Sequence, residues 1–91
     1  MALKRFYLRV YGYVQGVGFR HFALRLAKSM GISGWVRNLN DGSVELEAEG
    51  PKESIENFVN RVSEGPPYAI IKKITKEERP PEGSKDFEIR F

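Results

Sequence analysis

The sequence contains no cysteine, a single histidine and no long run of apolar residues. The absence of cysteine excludes a disulfide framework, thiolate catalysis and cysteine-based metal sites. A single histidine also excludes a metal site built from clustered histidine ligands. Because no segment is apolar enough to span a bilayer or to serve as a signal peptide, we expect a soluble, cytoplasmic protein without a membrane partner.

Neither sign of charge dominates the chain. It carries 15 lysines and arginines against 12 aspartates and glutamates, which gives a net charge of +3. This mixture is too even to identify a nucleic-acid-binding protein by charge alone. A length of 91 residues leaves room for one domain, residues 1–91, with a single modest core.

The hydrophobic pattern predicts two helices and five strands. Phe6, Leu8 and Val10 alternate with polar or aromatic neighbours, which is the period of a half-buried strand over residues 4–13. The following segments are predicted in chain order: a helix over residues 20–30 ending at Gly31, strands over 33–39 and 43–49 joined by an Asp41-Gly42 turn, a helix that opens at Gly50-Pro51 and ends at 65–67, a strand over 69–76, and a short strand with Phe87, Ile89 and Phe91.

Glutamates alternate with apolar residues in the third strand. The alternation predicts that Glu45, Glu47 and Glu49 lie on a solvated face of the sheet. The order strand, helix, strand, strand, helix, strand, with one extra strand, is that of a ferredoxin-like split βαβ sandwich. We therefore expect an α+β fold in which two helices cover one face of a mainly antiparallel sheet of four to five strands.

A glycine-rich turn precedes the first predicted helix. Gly12, Gly16 and Gly18 can adopt positive φ, so that successive N–H groups converge on one point, and the turn delivers Arg20 to the start of the helix. That helix contains no acidic residue up to Met30, whereas the second helix opens with proline and glutamates in the usual way. A cation at a helix N-terminus is unfavourable unless an anion binds there, so the turn is predicted to bind an anion. The alternative is that Arg20 lies over the apolar surface with its guanidinium in water.

The chemistry of this turn is restricted by what it lacks. Gly18 is followed by Phe19-Arg20 and not by Gly-Lys-Ser/Thr, and His21 stands where a dinucleotide fingerprint needs glycine. Val14 occupies the position relative to Arg20 at which protein tyrosine phosphatases carry their nucleophilic cysteine. If the protein is an enzyme that acts on phosphate, the lack of a nucleophile and of a general acid means that water must attack directly. The leaving group must then depart unaided, as the carboxylate of an acyl phosphate can.

Asn38 is the candidate for holding that water. It precedes the predicted hairpin, at the end of a strand that returns toward the loop, and its amide can both donate and accept hydrogen bonds. An asparagine at this place is equally typical of a turn residue that satisfies the local backbone. The residue pattern leaves both interpretations open.

Two stretches resemble the signatures of the acylphosphatases. Residues 12–20 read Gly-Tyr-Val-Gln-Gly-Val-Gly-Phe-Arg, and residues 34–38 read Gly-Trp-Val-Arg-Asn, followed by Gly42-Ser43-Val44 and Gly50. The similarity spans essentially the whole chain. It implies a small stand-alone acylphosphatase with a ferredoxin-like fold, which hydrolyses acyl phosphates and needs no metal or cofactor.

The resemblance also implies a role for each site residue. Arg20 and Asn38 would be catalytic, with Asn38 orienting the attacking water. The phosphate would be bound by Arg20 and by the loop amides of Gln15, Gly16, Val17, Gly18, Phe19 and Arg20. We expect inorganic phosphate to be both product and competitive inhibitor, and the protein to be a monomer.

Two other functions are compatible with the same fold class. One is a non-hydrolytic domain that binds carbamoyl phosphate within a larger maturation protein, although no further domain is present in this sequence. The other is an RNA-binding module, suggested by Tyr7, Arg9 and Tyr11 on the first strand. Glutamates 45, 47 and 49 on the same predicted face would repel RNA phosphates, so we expect no nucleic-acid partner.

Overall fold

The computed structural model describes residues 2–91, so Met1, the first residue of the predicted domain, lies outside the described residues. All seven predicted elements are present: β1 (Leu3–Tyr13), α1 (Phe19–Met30), β2 (Ser33–Asn38), β3 (Val44–Pro51), α2 (Lys52–Val62), β4 (Ile70–Arg79) and β5 (Phe87–Ile89). The predicted place of Phe91 in the last strand is wrong. Strand β5 ends at Ile89, and the Arg90 N–H that follows donates to the Val36 carbonyl at 2.8 Å. Phe91 lies beyond this bond and is fully exposed.

The strands form one sheet in the order β4-β1-β3-β2-β5. The β1–β3, β1–β4 and β2–β3 pairs are antiparallel, and β5 adds to the edge of β2 in parallel. The two helices pack on this sheet, which confirms the predicted ferredoxin-like α+β fold. Neither described helix is long and apolar enough to cross a membrane.

The core lies between the helices and one face of the sheet. It combines alternating residues of β1 and β3 with one stripe from each helix, as the hydrophobic pattern predicts. Its fully buried members include Leu8, Val10, Leu46, Ala48, Ala23, Ala27, Ile55, Phe58 and Val62. Removing such side chains from water supplies most of the stability of a domain of this size.

The face of the sheet opposite the helices is not solvated at its centre. The prediction that the glutamates of β3 lie on a solvated face is therefore wrong. Glu45, Glu47 and Glu49 are only 7%, 7% and 2% exposed. Each points toward arginines of adjacent strands: the Arg5 Nε lies 2.6 Å from Glu47 Oε1, and the Arg79 Nη1 lies 2.7 Å from Glu47 Oε2. A buried carboxylate is tolerated when it is paired and hydrogen-bonded, and these guanidinium groups supply both conditions.

The chain between β4 and β5 covers one end of this charged layer. The N–H groups of Glu82 and Gly83 donate to the Glu49 carboxylate at 2.6 and 3.0 Å, and Arg5 Nη1 donates to the Ser84 hydroxyl at 2.8 Å. Burial alone would raise the pKa of Glu49, but the hydrogen bonds from Glu82, Arg5 and Gly83 lower it overall. The carboxylate is therefore held in its charged form.

Candidate active site

The glycine-rich loop of residues 14–18 connects the end of β1 to the start of α1. Its two ends are anchored in the core, because Val14 is 1% and Phe19 is 2% exposed. Gly16 and Gly18 both have positive φ, 75° and 81°, and an added Cβ at either residue would meet nothing within 4 Å. Glycine is therefore favoured at these two positions because it adopts positive φ readily, and not because a side chain would clash with neighbouring atoms.

The loop leads directly into the N-terminal, positive end of α1, with Gly18 at the N-cap position. The helix begins with the bond from the Phe22 N–H to the Gly18 carbonyl, 2.9 Å, so the N–H groups just before Phe22 have no partner within the helix. Gly18 cannot cap them with a side chain, and the first turn contains no acidic residue. Within residues 2–91, no hydrogen bond is donated by the backbone N–H groups of residues 15–18. This arrangement of N–H donors at a helix N-terminus suits an anion.

Arg20 differs from the arginines of the sheet. Five others, Arg5, Arg9, Arg37, Arg79 and Arg90, each pair with a carboxylate. In the described part of the chain, none of the salt bridges includes Arg20. Its guanidinium instead lies over the Phe91 ring, with Cζ 5.2 Å from the ring centroid. The charge of this half-buried side chain is thus available to a bound anion.

Asn38 is the last residue of β2 and is paired with Val44 across the hairpin. Its Oδ1 atom is buried and has no hydrogen-bond partner among residues 2–91. The turn that follows is closed by other groups: the Leu39 N–H donates to the Ser43 carbonyl at 2.8 Å, and the Ser43 N–H donates to Asp41 Oδ1 at 2.9 Å. The Asn38 side chain is therefore not what satisfies the backbone of the turn, and a buried acceptor of this kind calls for a donor.

The Gln15 side chain joins the loop to this hairpin. Its Nε2 donates to the Leu39 carbonyl at 2.7 Å and to the Ser43 carbonyl at 2.9 Å. The structure thus connects the loop to the residue directly after Asn38. Sequence reasoning missed this contact and the contact between Arg20 and Phe91, because the partners are distant in the chain and no local pattern signals either pair.

The hairpin tip is also fixed electrostatically. The Asp41 carboxylate accepts from the hydroxyl and N–H of Ser43, and Arg9 Nη2 lies 2.6 Å from its other oxygen. These contacts, led by the Ser43 hydrogen bonds, lower the pKa of Asp41 to about 2. The turn carries a charged carboxylate throughout the physiological range.

A cavity of about 290 Å³ opens beside Asn38. It is lined by Arg37, Asn38, Leu39, Asn40 and Phe91. Phe91 therefore contacts both this cavity and Arg20. Among residues 2–91, no three histidine, aspartate or glutamate side chains come together in a way that could hold a metal ion.

Comparison with known proteins identifies the family. The acylphosphatase family model matches residues 6–89. An acylphosphatase of Thermotoga maritima is 47% identical over 89 residues, covering 98% of this chain and 99% of the relative. The crystal structure of acylphosphatase from Bacillus subtilis has a TM-score of 0.92 and 40% identity, covering 99% of this chain and 100% of that one.

A structure of T. kodakarensis HypF is also similar, with a TM-score of 0.83 and 39% identity, but the matched part is 12% of that chain. Neither the RNA-binding nor the non-hydrolytic alternative is favoured by these comparisons. The family match and the full-length relatives that share one function show that the chain is an enzyme and belongs to the acylphosphatase family.

Proposed function

We propose that this acylphosphatase acts by direct attack of water on phosphorus, with the phosphate held by the N–H groups of residues 15–20 and by Arg20, and with the water oriented by Asn38. The phosphate cradle is supported by the positive φ of Gly16 and Gly18, the uncapped helix start and the absence of a carboxylate partner for Arg20 among residues 2–91. A planar guanidinium can donate two parallel hydrogen bonds to phosphate oxygens.

The loop supports hydrolysis of a reactive phosphate and not of an ordinary ester. Residues 15–20 contain no serine, threonine, cysteine or acid that could act as nucleophile or general acid. An alkoxide cannot leave without protonation, whereas a carboxylate with a pKa of about 4 can. The substrate class is therefore an acyl phosphate, and the reaction breaks its phosphorus–oxygen bond to give a carboxylate and inorganic phosphate.

The buried Oδ1 of Asn38 is the observation that carries the proposal for the water. This acceptor has no protein donor within the described residues, and a water molecule that donates to it would turn a lone pair toward the phosphate. Displacement at phosphorus is in line, so the carboxylate leaves from the side opposite Asn38. The cavity beside Asn38 is thus assigned to water and not to the acyl group.

The same proposal includes inhibition by the product, the oligomeric state, the location and the partners of the protein. Inorganic phosphate, which resembles the bound part of the substrate, acts as a competitive inhibitor. We infer a monomer formed by one domain, residues 1–91, located in the cytoplasm and without a nucleic-acid partner. The carboxylates of β3 remain on the sheet face that RNA would contact, although Arg5, Arg37 and Arg79 neutralise part of their charge.

The reaction is tested by hydrolysis of acetyl phosphate in water enriched in oxygen-18. Attack at phosphorus places the label in phosphate, and the rate should be unchanged by a chelator. Label in acetate would show attack at the carbonyl carbon and would refute the mechanism.

Phosphate titration followed by NMR tests the binding site directly. The amide resonances of residues 15–20 should shift, and shifts confined to other residues would place phosphate elsewhere.

A further inference from the structure

The geometry points to Gln15 as a positioning residue whose side chain sets the distance between the phosphate cradle and Asn38. The backbone N–H of Gln15 belongs to the proposed cradle, but its side-chain amide turns away from the loop to the β2–β3 hairpin. This inference rests on the proposed roles of the loop and of Asn38. It assigns to the Gln15 side chain a task that is separate from phosphate binding.

Both hydrogens of the Gln15 amide are used. One is donated to the Leu39 carbonyl at 2.7 Å and the other to the Ser43 carbonyl at 2.9 Å. Each carbonyl already accepts a hairpin bond, from the Gly42 N–H at 3.2 Å and from the Leu39 N–H at 2.8 Å respectively. A carbonyl oxygen has two lone pairs, so Gln15 takes the second site on each acceptor.

The hairpin does not need Gln15 in order to close. Its own backbone bonds and the Asp41 side chain, which accepts from Ser43 and pairs with Arg9, hold the turn. Loss of the Gln15 contacts would therefore leave the hairpin folded but free to shift against the loop. Two bonds from one planar amide to two carbonyls restrain both distance and orientation, which one bond cannot do.

The restraint acts on Asn38 through its neighbour. Leu39 follows Asn38 directly, and Ser43 precedes Val44, the partner of Asn38 across the hairpin. The two carbonyls that Gln15 binds thus flank the Asn38–Val44 pair. Fixing them fixes the end of β2 against residues 15–18, and a misplaced water loses the alignment that in-line attack requires.

The test compares Gln15→Met, which keeps the length of the side chain but has no donor, with the unaltered protein and with Asn60→Ala, which removes an exposed amide from α2. With acetyl phosphate, Gln15→Met should lower kcat by about tenfold to a hundredfold, the cost of a misplaced reacting group. The competitive inhibition constant of inorganic phosphate should change less than about twofold, since the cradle is intact. Asn60→Ala should match the unaltered protein in both measurements.

Gln15→Glu adds a readout that a merely structural role would not move. Its carboxylate repels the two carbonyls, but protonation near pH 4 restores one O–H donor. The ratio of its kcat to that of the unaltered protein should therefore rise as the pH falls from 7 to 4.

Three outcomes separate the possibilities. Full kcat in Gln15→Met would overturn the positioning role while leaving the proposed function intact. Equal losses in kcat and phosphate affinity would also overturn it, because the side chain would then belong to the cradle. If the unaltered protein does not release phosphate from acetyl phosphate, the proposed function fails and the positioning role fails with it.

Discussion

The guanidinium of Arg20 lies over the ring of Phe91, with Cζ 5.2 Å from the ring centroid. A cation over an aromatic ring is attracted by its π-system, and a guanidinium in this position still has N–H groups that can donate to phosphate oxygens. Phe91 thus contacts the side chain that is proposed to bind the substrate. It does so from outside the hydrophobic core, since it is fully exposed.

We predict that Phe91→Ala weakens inorganic phosphate binding by about two- to fivefold, which corresponds to an exposed cation–π contact of about 0.5–1 kcal/mol. Phe91→Tyr should retain full affinity because it keeps the ring. The competitive inhibition constant of phosphate checks both variants. Equal constants for Phe91→Ala and the unaltered protein would show that Arg20 is ordered without the ring.

Arg20→Lys should lower activity by orders of magnitude while the fold is retained. Lysine offers a single compact charge where the guanidinium offers a planar fork, and its ammonium cannot reproduce two parallel bonds to phosphate. The matched control is Arg25→Lys on the exposed side of the same helix, which should behave as the unaltered protein. Circular dichroism and kcat/KM, measured on the same samples, separate folding from activity. Near-normal kcat/KM for Arg20→Lys would make Arg20 an ordinary surface cation.

The sequence was sufficient to predict the seven elements, since Phe6, Leu8 and Val10 in β1 and the apolar stripes of both helices follow their periods closely. The glycine loop and Arg20 were also readable, because the signal lies within nine consecutive residues. The pairing of the β3 glutamates with arginines of neighbouring strands could not be predicted. Alternation in β3 predicts that Glu47 and Glu49 share a face, but only the strand order and register place Arg5 and Arg79 beside them.

The same limit applies to the candidate site. Asn38 could be proposed from its place at the end of a strand, but its unpartnered Oδ1 depends on packing around it. The contacts of Gln15 with the hairpin and of Arg20 with Phe91 join distant parts of the chain. Side-chain contacts of this kind are set by the assembled fold and leave no periodic trace in a single sequence.

Two glycines should respond differently to alanine. An alanine Cβ at Gly18 would meet nothing within 4 Å. Gly18→Ala should therefore lower the free energy of unfolding by about 1–2 kcal/mol, the cost of a left-handed conformation for a residue with a side chain. It should also weaken phosphate binding, because the loop shifts. An added Cβ at Gly34 would lie 1.9 Å from the Glu47 carbonyl oxygen, so Gly34→Ala should prevent folding. Urea denaturation checks both variants. A Gly34→Ala protein of normal stability would contradict the close approach of β2 to β3.

Arg5 should be essential to the charged face of the sheet. It is 1% exposed and contacts both Glu47 and Glu49, so Arg5→Met leaves these buried carboxylates short of a cation and should cost about 3–5 kcal/mol. Arg90→Met removes an exposed pair with Glu88 and should cost less than about 1 kcal/mol. Urea midpoints at pH 7 measure both effects. Similar midpoints for the two variants would show that the buried pairs contribute no more than surface ones.

Acid should destabilise the protein through the carboxylates whose pKa values are lowered in the fold. Those of Glu45 and Glu49 lie below the ordinary value of 4.5, and the pKa of Asp41 falls from 3.8 to about 2. A group with a lowered pKa in the folded state contributes stability above its unfolded pKa and loses it as the pH falls through the folded one. Unfolding free energy should therefore fall as the pH decreases from about 4.5 to 2. A flat profile across this window would contradict the pairing.

Asn38→Ala should separate chemistry from binding. If the amide holds the attacking water, the variant loses most of its turnover, while the competitive inhibition constant of phosphate is nearly unchanged because the loop and Arg20 are intact. Stability distinguishes this role from that of a turn residue. Loss of a hydrogen bond that satisfies the turn would cost about 1 kcal/mol, whereas removal of a buried acceptor without a partner relieves a desolvation cost.

We therefore expect Asn38→Ala to be at least as resistant to urea as the unaltered protein in the absence of phosphate. Asn40→Ala, an exposed amide in the same hairpin, is the matched control and should retain its turnover. Turnover number, phosphate inhibition constant and urea midpoint are measured on one preparation of each variant. Retained turnover in Asn38→Ala would remove this residue from the mechanism. Parallel losses of turnover and phosphate affinity would instead assign Asn38 to the phosphate cradle.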